Sequence, residues 1–408
     1  MLRLIIAISV FLSALNCHAI DLEEAIEKAV KNSAKVKSQF YQYKSAEKQL
    51  KSSGVAGFLP EAVLQYRFDE SLQPQYNGTS RLMLTQKLID GGGNFATFNR
   101  SQYLLRVEKI KLHQLKQEVA LSAIKAYVDV LKKTEILKLR EHKERIALEH
   151  LSAMQKRFSL SEVTNAEVSL AKAKFSSSIS ERVDAEGKFK LAKVAYYHLI
   201  GEEVDDLSEI DELFLPSVPE LDECLSLVKS SNLNLKEAAY RRSAARMEVR
   251  AEASRFLPSL SLNVNKYISE NDTFDRFFNN VGITFTLDIP ILQRGTNVFG
   301  VGKAQMDVKR YTYAYREVVK DVEQVVINVW NNLLTARTMI KASQEAEKAA
   351  TLALEGVEKE VNLNLKSTTD LLEAEDTLFK ARSGLAEARS NYVISVYNLL
   401  FIINSIKL

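Results

Sequence analysis

Few residues of this chain are spaced for chemistry. Gly300-Val301-Gly302-Lys303-Ala304 has the outline of a phosphate-binding loop. It lacks the glycine five residues before Gly302, where Asn297 stands, and a Ser or Thr after Lys303. It opens a long helical pattern, so packing is its simpler role. The histidines of the exported chain are His113, His142, His150 and His198. His142 and His150 are eight residues apart and no His-Glu-x-x-His occurs, so they read as surface or seam residues rather than metal ligands. Trp330 reads as a packing residue. No acid–base pair or activated nucleophile emerges, which predicts a protein that is not an enzyme and uses no cofactor or metal.

One pair of carboxylates remains. Asp370 and Glu373 are three residues apart and share one helix face. They follow a polar break at 362–367, so they stand at the start of a helix, where acids favour the positive end of the dipole. Lys366 lies just before them. Whether these charges do more depends on the elements that carry them.

Those elements belong to an exported chain. Arg3, the apolar run Leu4 to Leu15 and Cys17-His18-Ala19 read as a secretory signal over 1–19. Acylation of Cys17 is an alternative, though Asn16 stands where a lipid-attachment signal prefers a small residue. The exported chain then keeps one thiol, Cys224, and no intrachain disulfide. The 408 residues carry a formal charge of only +3, from 55 basic and 52 acidic side chains in mixed order. That excludes the one-sided basic face of a nucleic-acid binder. No later stretch approaches the ~20 apolar residues of a membrane-spanning helix.

The pattern runs twice. A first repeat, 20–201, reads as a helix, a β-hairpin over 60–90, a long helix over 94–158 and a helix over 162–200. A segment at 202–219 links it to a second repeat, 220–408. That repeat has a helix, strands at 259–268 and 280–290, a long helix at 298–361 and a helix at 368–404. Phe58-Leu59-Pro60 and Phe256-Leu257-Pro258 precede the strands of each half. Asn77-Gly78 reads as a turn between the first two strands. Strand residues alternate, as in Ala62, Leu64, Tyr66 and Phe68 against Val63, Gln65, Arg67 and Asp69. Val308, Tyr315, Val322 and Val329 recur every seven residues on the second long helix, with Val319, Val326 and Leu333 as the other seam. Each strand-to-helix corner has its breakers: Gly91, Gly92 and Gly93 in the first, Pro290 and Gly295 in the second.

Alternating strands in an exported chain suit a membrane β-barrel with lipid outside and water inside. Four strands cannot close, and an open edge in lipid leaves backbone groups unpaired. Several copies must therefore pool strands; three would supply twelve. A helix of about 64 residues spans roughly 95 Å, far more than a membrane, so the helices extend into aqueous space. The fold class expected is an α+β membrane protein: a long α-helical coiled-coil barrel, or tunnel, continuous with a shared transmembrane β-barrel. It has four strands per chain, is trimeric, and carries an internal two-fold structural repeat.

Four stretches carry a family resemblance: the paired Phe-Leu-Pro, Thr85-Gln86-Lys87-Leu88-Ile89-Asp90-Gly91-Gly92 with Pro290-Ile291, Thr369-Asp370-Leu371-Leu372-Glu373-Ala374, and Ala386-Glu387-Ala388-Arg389-Ser390-Asn391-Tyr392. In order and duplication they resemble the outer-membrane efflux proteins of the TolC type. The resemblance implies a homotrimeric channel-tunnel in the cell outer membrane, its helical tunnel projecting into the periplasm. It would be a passive exit duct for efflux or type I secretion. It also implies partners: outer-membrane lipid, a periplasmic adaptor (membrane fusion protein), and an inner-membrane pump or ABC secretion ATPase. It puts Asp370 and Glu373 in an acidic ring at the tunnel entrance and makes Lys366 a gate contact at the tip. The glycine corners become the barrel-to-tunnel junction. Ser161 and Asn364 stand where the family usually has a tip glycine. The rival reading is an exported coiled-coil structural or adaptor protein without a pore of its own.

Overall fold

From Asn94 to Ser159 the chain has neither Gly nor Pro, so nothing interrupts one helix. A computed structural model of the protein describes residues 21–69, 77–204, 207–208, 210, 215–268, 281–291, 295–363 and 365–406. The element order is α1 (Leu22–Asn32), α2 (Ala34–Gln49), β1 (Glu61–Asp69), β2 (Asn77–Asp90), α3 (Gly93–Ser159) and α4 (Asn165–Ile200). Then come α5 (Leu221–Ser231), α6 (Leu233–Ser254), β3 (Ser259–Ile268), β4 (Val281–Asp288), α7 (Thr296–Asn362) and α8 (Thr368–Ile402). The signal segment 1–19 lies outside the described residues.

α3 and α7 have 67 residues each, roughly 100 Å of helix. On one half of their length, α3 packs on α2 and α6, and α6 on α7. On the other half, α3 packs on α4 and α8, and α8 on α7. The result is an open helical layer with α2 and α4 along one edge and α7 along the other. The main core lies midway along the long helices. Ala120, Ile124 and Tyr127 of α3 meet Tyr196, Ile200, Val228, Val326, Val396 and Leu399 there. The Tyr127 hydroxyl donates to the Ser208 carbonyl at 2.8 Å, and Val204 and Leu207 are buried. The described part of 202–219 is thus pinned to the core.

The strands form one antiparallel sheet in the order β1-β2-β3-β4. Its register aligns Leu64 with Leu82, Leu84 with Val264, and Val264 with Ile283. One face is therefore apolar from edge to edge, and it is bare: Leu64 is 66% exposed and Phe285 64%. The other face is polar and cross-linked. Arg81 Nη2 donates to Asn265 Oδ1 at 2.9 Å, Thr85 Oγ1 to Asn263 Oδ1 at 3.1 Å, and Asn263 Nδ2 to Thr286 Oγ1 at 3.0 Å. A bulge between Lys87 and Ile89 leaves Leu88 with no partner residue in β3.

Three local expectations need correction. Asn77-Gly78 is not the turn: both residues pair within β2, opposite Asp69 and Phe68. The opening helix breaks at Ser33, whose hydroxyl caps α2 by accepting from Val36 N at 3.3 Å, and it ends in a π-helical turn, Leu50–Val55. The helix of the second half breaks likewise at Asn232, whose side chain accepts from Leu235 N at 3.2 Å. Such side-chain caps offer the backbone an alternative to unbroken helix.

Candidate functional sites at the two ends of the helices

The corner after β2 is built around Asp90. Gly91 and Gly92 both take left-handed backbone, φ 64° and 82°. That brings the amides of Gly92 and Asn94 onto the Asp90 carboxylate, at 3.1 and 2.5 Å. The three glycines are constrained differently. A Cβ on Gly91 would lie 2.6 Å from Leu257 Cβ and 2.8 Å from the Ser254 carbonyl oxygen. One on Gly93 would lie 2.5 Å from Ser254 Oγ, whereas Gly92 has open space and only its φ to satisfy. The first corner therefore packs on the end of α6. The second corner has Gly295 at φ 74°, with Pro290 just beyond β4. Arg294 lies outside the described residues.

An asparagine ties down each corner. Asn94 Nδ2 donates to the Gly57 carbonyl at 2.5 Å, and Asn297 Nδ2 donates to the Arg255 carbonyl at 3.1 Å. Sequence reading missed both, although Asn94 and Asn297 are 203 residues apart, the spacing that also separates Gly92 from Gly295.

At the opposite end of the helices are two tips. α3 stops with Ser161 in left-handed backbone, φ 59°. Ser161 N donates to the Phe158 carbonyl and Glu162 N to the Arg157 carbonyl, each at 2.9 Å, which satisfies carbonyls left orphaned at the helix end. α7 ends with Leu365 N donating to the Glu360 carbonyl at 2.9 Å. Asn364 lies outside the described residues. Each following helix opens with a capping box, Thr164 with Glu167 and Ser367 with Asp370.

The candidate ring residues thus separate. Asp370 Oδ2 accepts from Ser367 Oγ at 2.7 Å and from Ser367 N at 2.9 Å. Those hydrogen bonds, with the Lys366 charge nearby, hold its carboxyl below the ordinary range. Glu373 is exposed and lines a cavity between the hairpins α3/α4 and α7/α8. Lys366 Nζ pairs with Glu360 Oε2 at 2.8 Å, inside its own hairpin, and that carboxylate raises the lysine's pKa.

The two hairpins are joined higher up by residues the sequence did not flag. Lys143 of α3 pairs with Asp376 of α8 at 2.8 Å and with Glu181 of α4 at 3.1 Å. Arg140 also pairs with Glu181, and the two cations lie 4.2 and 5.0 Å from the centroid of the Phe379 ring. Burial alone would raise the Asp376 carboxyl, but hydrogen bonds from Lys143 and Lys380 hold it down. Among the described residues no group of His, Cys, Asp or Glu could hold a metal ion, and no helix is long and apolar enough to cross a membrane.

Comparison with known proteins places this geometry. The family model for outer membrane efflux proteins matches residues 224–405. The chain is 25% identical over 392 residues to the outer membrane efflux protein BepC of Brucella suis biovar 1 (strain 1330), covering 93% of this chain and 84% of that one. It is 24% identical over 341 residues to the outer membrane protein TolC of Escherichia coli (strain K12), covering 79% and 69%. Among solved structures, CusC superposes with a TM-score of 0.81 at 15% identity, over 94% of this chain and 91% of that one. At that identity the superposition speaks for the fold.

Proposed function

We propose that the chain is a TolC-like outer-membrane efflux protein, a channel-tunnel for efflux or secretion whose parts divide the work. Three copies pool their sheets into one twelve-stranded barrel. The carrying observation is the open four-stranded sheet: one face is apolar and bare, the other is a polar ladder, and β1 and β4 end it on either side. An apolar band outside and hydrogen-bonding side chains inside are what lipid and a water-filled pore require. Unpaired edges are intolerable in lipid, so β4 of one copy pairs with β1 of the next.

The helices close in the same way. α4 and α7 are the free edges of the layer, and α7 carries an exposed stripe every seventh or fourteenth residue: Phe299, Met306, Tyr313, Ile327 and Leu334. That is the seam a neighbouring copy would cover. The halves 20–201 and 220–408 act as two structural repeats, so each copy meets the membrane boundary at two glycine corners. Gly91, Gly92, Gly93, Pro290 and Gly295 serve as the barrel-to-tunnel junction. The chain itself does no catalysis. Its partners are a periplasmic adaptor and an inner-membrane pump or ABC secretion ATPase, which supply energy and select cargo.

Asp370 and Glu373 form the acidic ring at the tunnel entrance. Glu373 is the more exposed; Asp370 keeps one oxygen on its cap. Three copies would place six carboxylates around one constriction, favouring cations. Lys366 is the gate contact only if it leaves Glu360. Two measurements test the reading. Purified protein should migrate as a heat-sensitive trimer and conduct in planar bilayers; a monomer released by osmotic shock overturns the channel. Asp370→Asn with Glu373→Gln should lower cation-over-anion selectivity severalfold; unchanged selectivity removes the ring.

A further inference from the structure

Between the Lys143 junction and the tips, the two hairpins meet around one half-buried carboxylate, Glu375 of α8. A cavity of about 790 Å³ opens between them there. Its apolar wall includes Ile146, Leu354, Leu372 and Phe379. The charged groups around Glu375 come from four helices. α3 supplies Glu149, with His142 and Lys143 farther from the tip; α4 supplies Lys174 and Glu181; α7 supplies Glu358. On α8 itself stand Glu373, Asp376, Lys380 and Arg382.

Most of these are already engaged. Lys143 holds Glu181 and Asp376, Lys380 holds Asp376, Arg382 holds Glu347, and His142 meets Arg145. Glu373 is exposed at the rim. What remains is three carboxylates, Glu149, Glu358 and Glu375, facing one cation, Lys174, with the half-buried His150 imidazole beside it, whose pKa burial and the Lys174 charge lower. None of these five is in an ion pair among the described residues. Like charges on three helices repel across the seam, and one lysine cannot neutralise them all.

Below Lys143 the hairpins face each other across the apolar wall, with no further ion pair between them among the described residues. Lys143–Asp376 is the ion pair that crosses between them among the described residues. The small core of Leu151, Met154 and Ala171 joins α3 to α4 alone, and Lys366 closes onto its own hairpin. The charge at the seam below Lys143 is thus set by the uncompensated cluster.

We propose that this cluster is an acid-closed joint: protonation of Glu375 draws the α7/α8 hairpin onto α3/α4, and its ionisation lets the two splay below Lys143. The electrostatics agree in sign. Burial, then the charges of Glu358 and Glu149, push the Glu375 carboxyl up to about 6. A group that binds its proton more tightly in the packed joint favours packing as pH falls. That stabilisation is complete below 4.5, the ordinary glutamate value, and is lost as pH rises through about 6. Glu375 is only half-buried, so solvent screening limits the effect to about tenfold in the packed-to-splayed ratio. The joint rests on the tunnel reading only for its consequence, an entrance narrowed by acid.

Its test needs no pore. Spin labels at the exposed Leu160 and Leu365, in Leu160→Cys/Leu365→Cys chain with Cys224→Ala, report the distance between tips. Labelled chain is diluted in unlabelled chain so that pairs within one copy dominate. From pH 7.5 to pH 5 the short-distance population should grow severalfold. Glu375→Gln should hold it at the acid level at both pH values. Glu358→Gln, which removes a neighbouring charge, should shift the midpoint to lower pH. A pH response that survives in Glu375→Gln, or its absence in the unsubstituted chain, overturns the joint. If Glu375→Gln does not fold, an unmoved midpoint in Glu358→Gln does so. Bilayer conductance is scored separately: a chain that shows the shift but forms no pore loses the channel and keeps the joint.

Discussion

At the scale of single residues, left-handed backbone decides most. Gly91 and Gly92 have similar φ values, yet only Gly91 also presses on Leu257 and Ser254. Gly91→Val should therefore cost about 2–4 kcal/mol, backbone strain plus a contact that must give, and Gly92→Val about 1–2 kcal/mol. Urea unfolding of the purified protein would read both, with Gly187→Ala as comparator because its helix position is open. Equal losses at positions 91 and 92 would contradict the corner packing. A Cβ on Gly57 would likewise press on the corner, meeting the Asn94 side chain at 2.6 Å. Ser161 shows the opposite case, a residue with a side chain at φ 59°. Ser161→Gly should stabilise by about 1 kcal/mol; a loss instead would mean that the hydroxyl has a role beyond the turn.

At the scale of elements, what was readable in the sequence is what local pattern determines. The long helices show because Gly and Pro are scarce within them. The strands show because their apolar residues alternate, as they must when each face meets a different solvent. Asp370 was legible as a helix-start acid because Ser367 precedes it by three residues. What was not legible depends on distant partners. Lys143 meets Asp376 from 233 residues away, and nothing near Lys143 announces it. Asn94 looks like any polar residue until Gly57 is placed beside it. The bulge at Leu88 was hidden too, because register is a property of two strands. It has a consequence: deleting Leu88 would let β2 run on in one register with Ile89 still opposite Leu260 and Asp90 still opposite Ser259. The corner would then keep the carboxylate that holds the Gly92 and Asn94 amides. The deletion should preserve both the helical circular dichroism and the heat-sensitive trimer. A lost trimer would show that the corner needs the bulge itself.

At the scale of the whole molecule, a single chain is an unfinished surface. Its buried residues gather midway along the helices, while the apolar sheet face and the outer stripe of α7 have nothing over them. The heptad of Val322, Val326 and Leu333 points inward and is buried. The second stripe, Phe299 to Leu334, faces away on the same helix. Two stripes on one helix are what a wall of helices needs, each strut being flanked on both sides. The inner stripe stabilises the chain, and the outer one can stabilise only an assembly. The two functions should therefore separate by mutation. Ile327→Glu with Met306→Glu puts charges on the outer stripe, where a neighbour would have to desolvate them at a cost of several kcal/mol for each interface. The monomer has nothing to lose there, so its helix content and urea midpoint should stay within about 0.5 kcal/mol of the parent. Sedimentation in detergent should then find single chains in place of trimers. Val326→Glu, by contrast, should unfold the chain's own core. If the outer pair left the trimer intact, α7 would not be a seam between copies, and the tube would have to close along another edge.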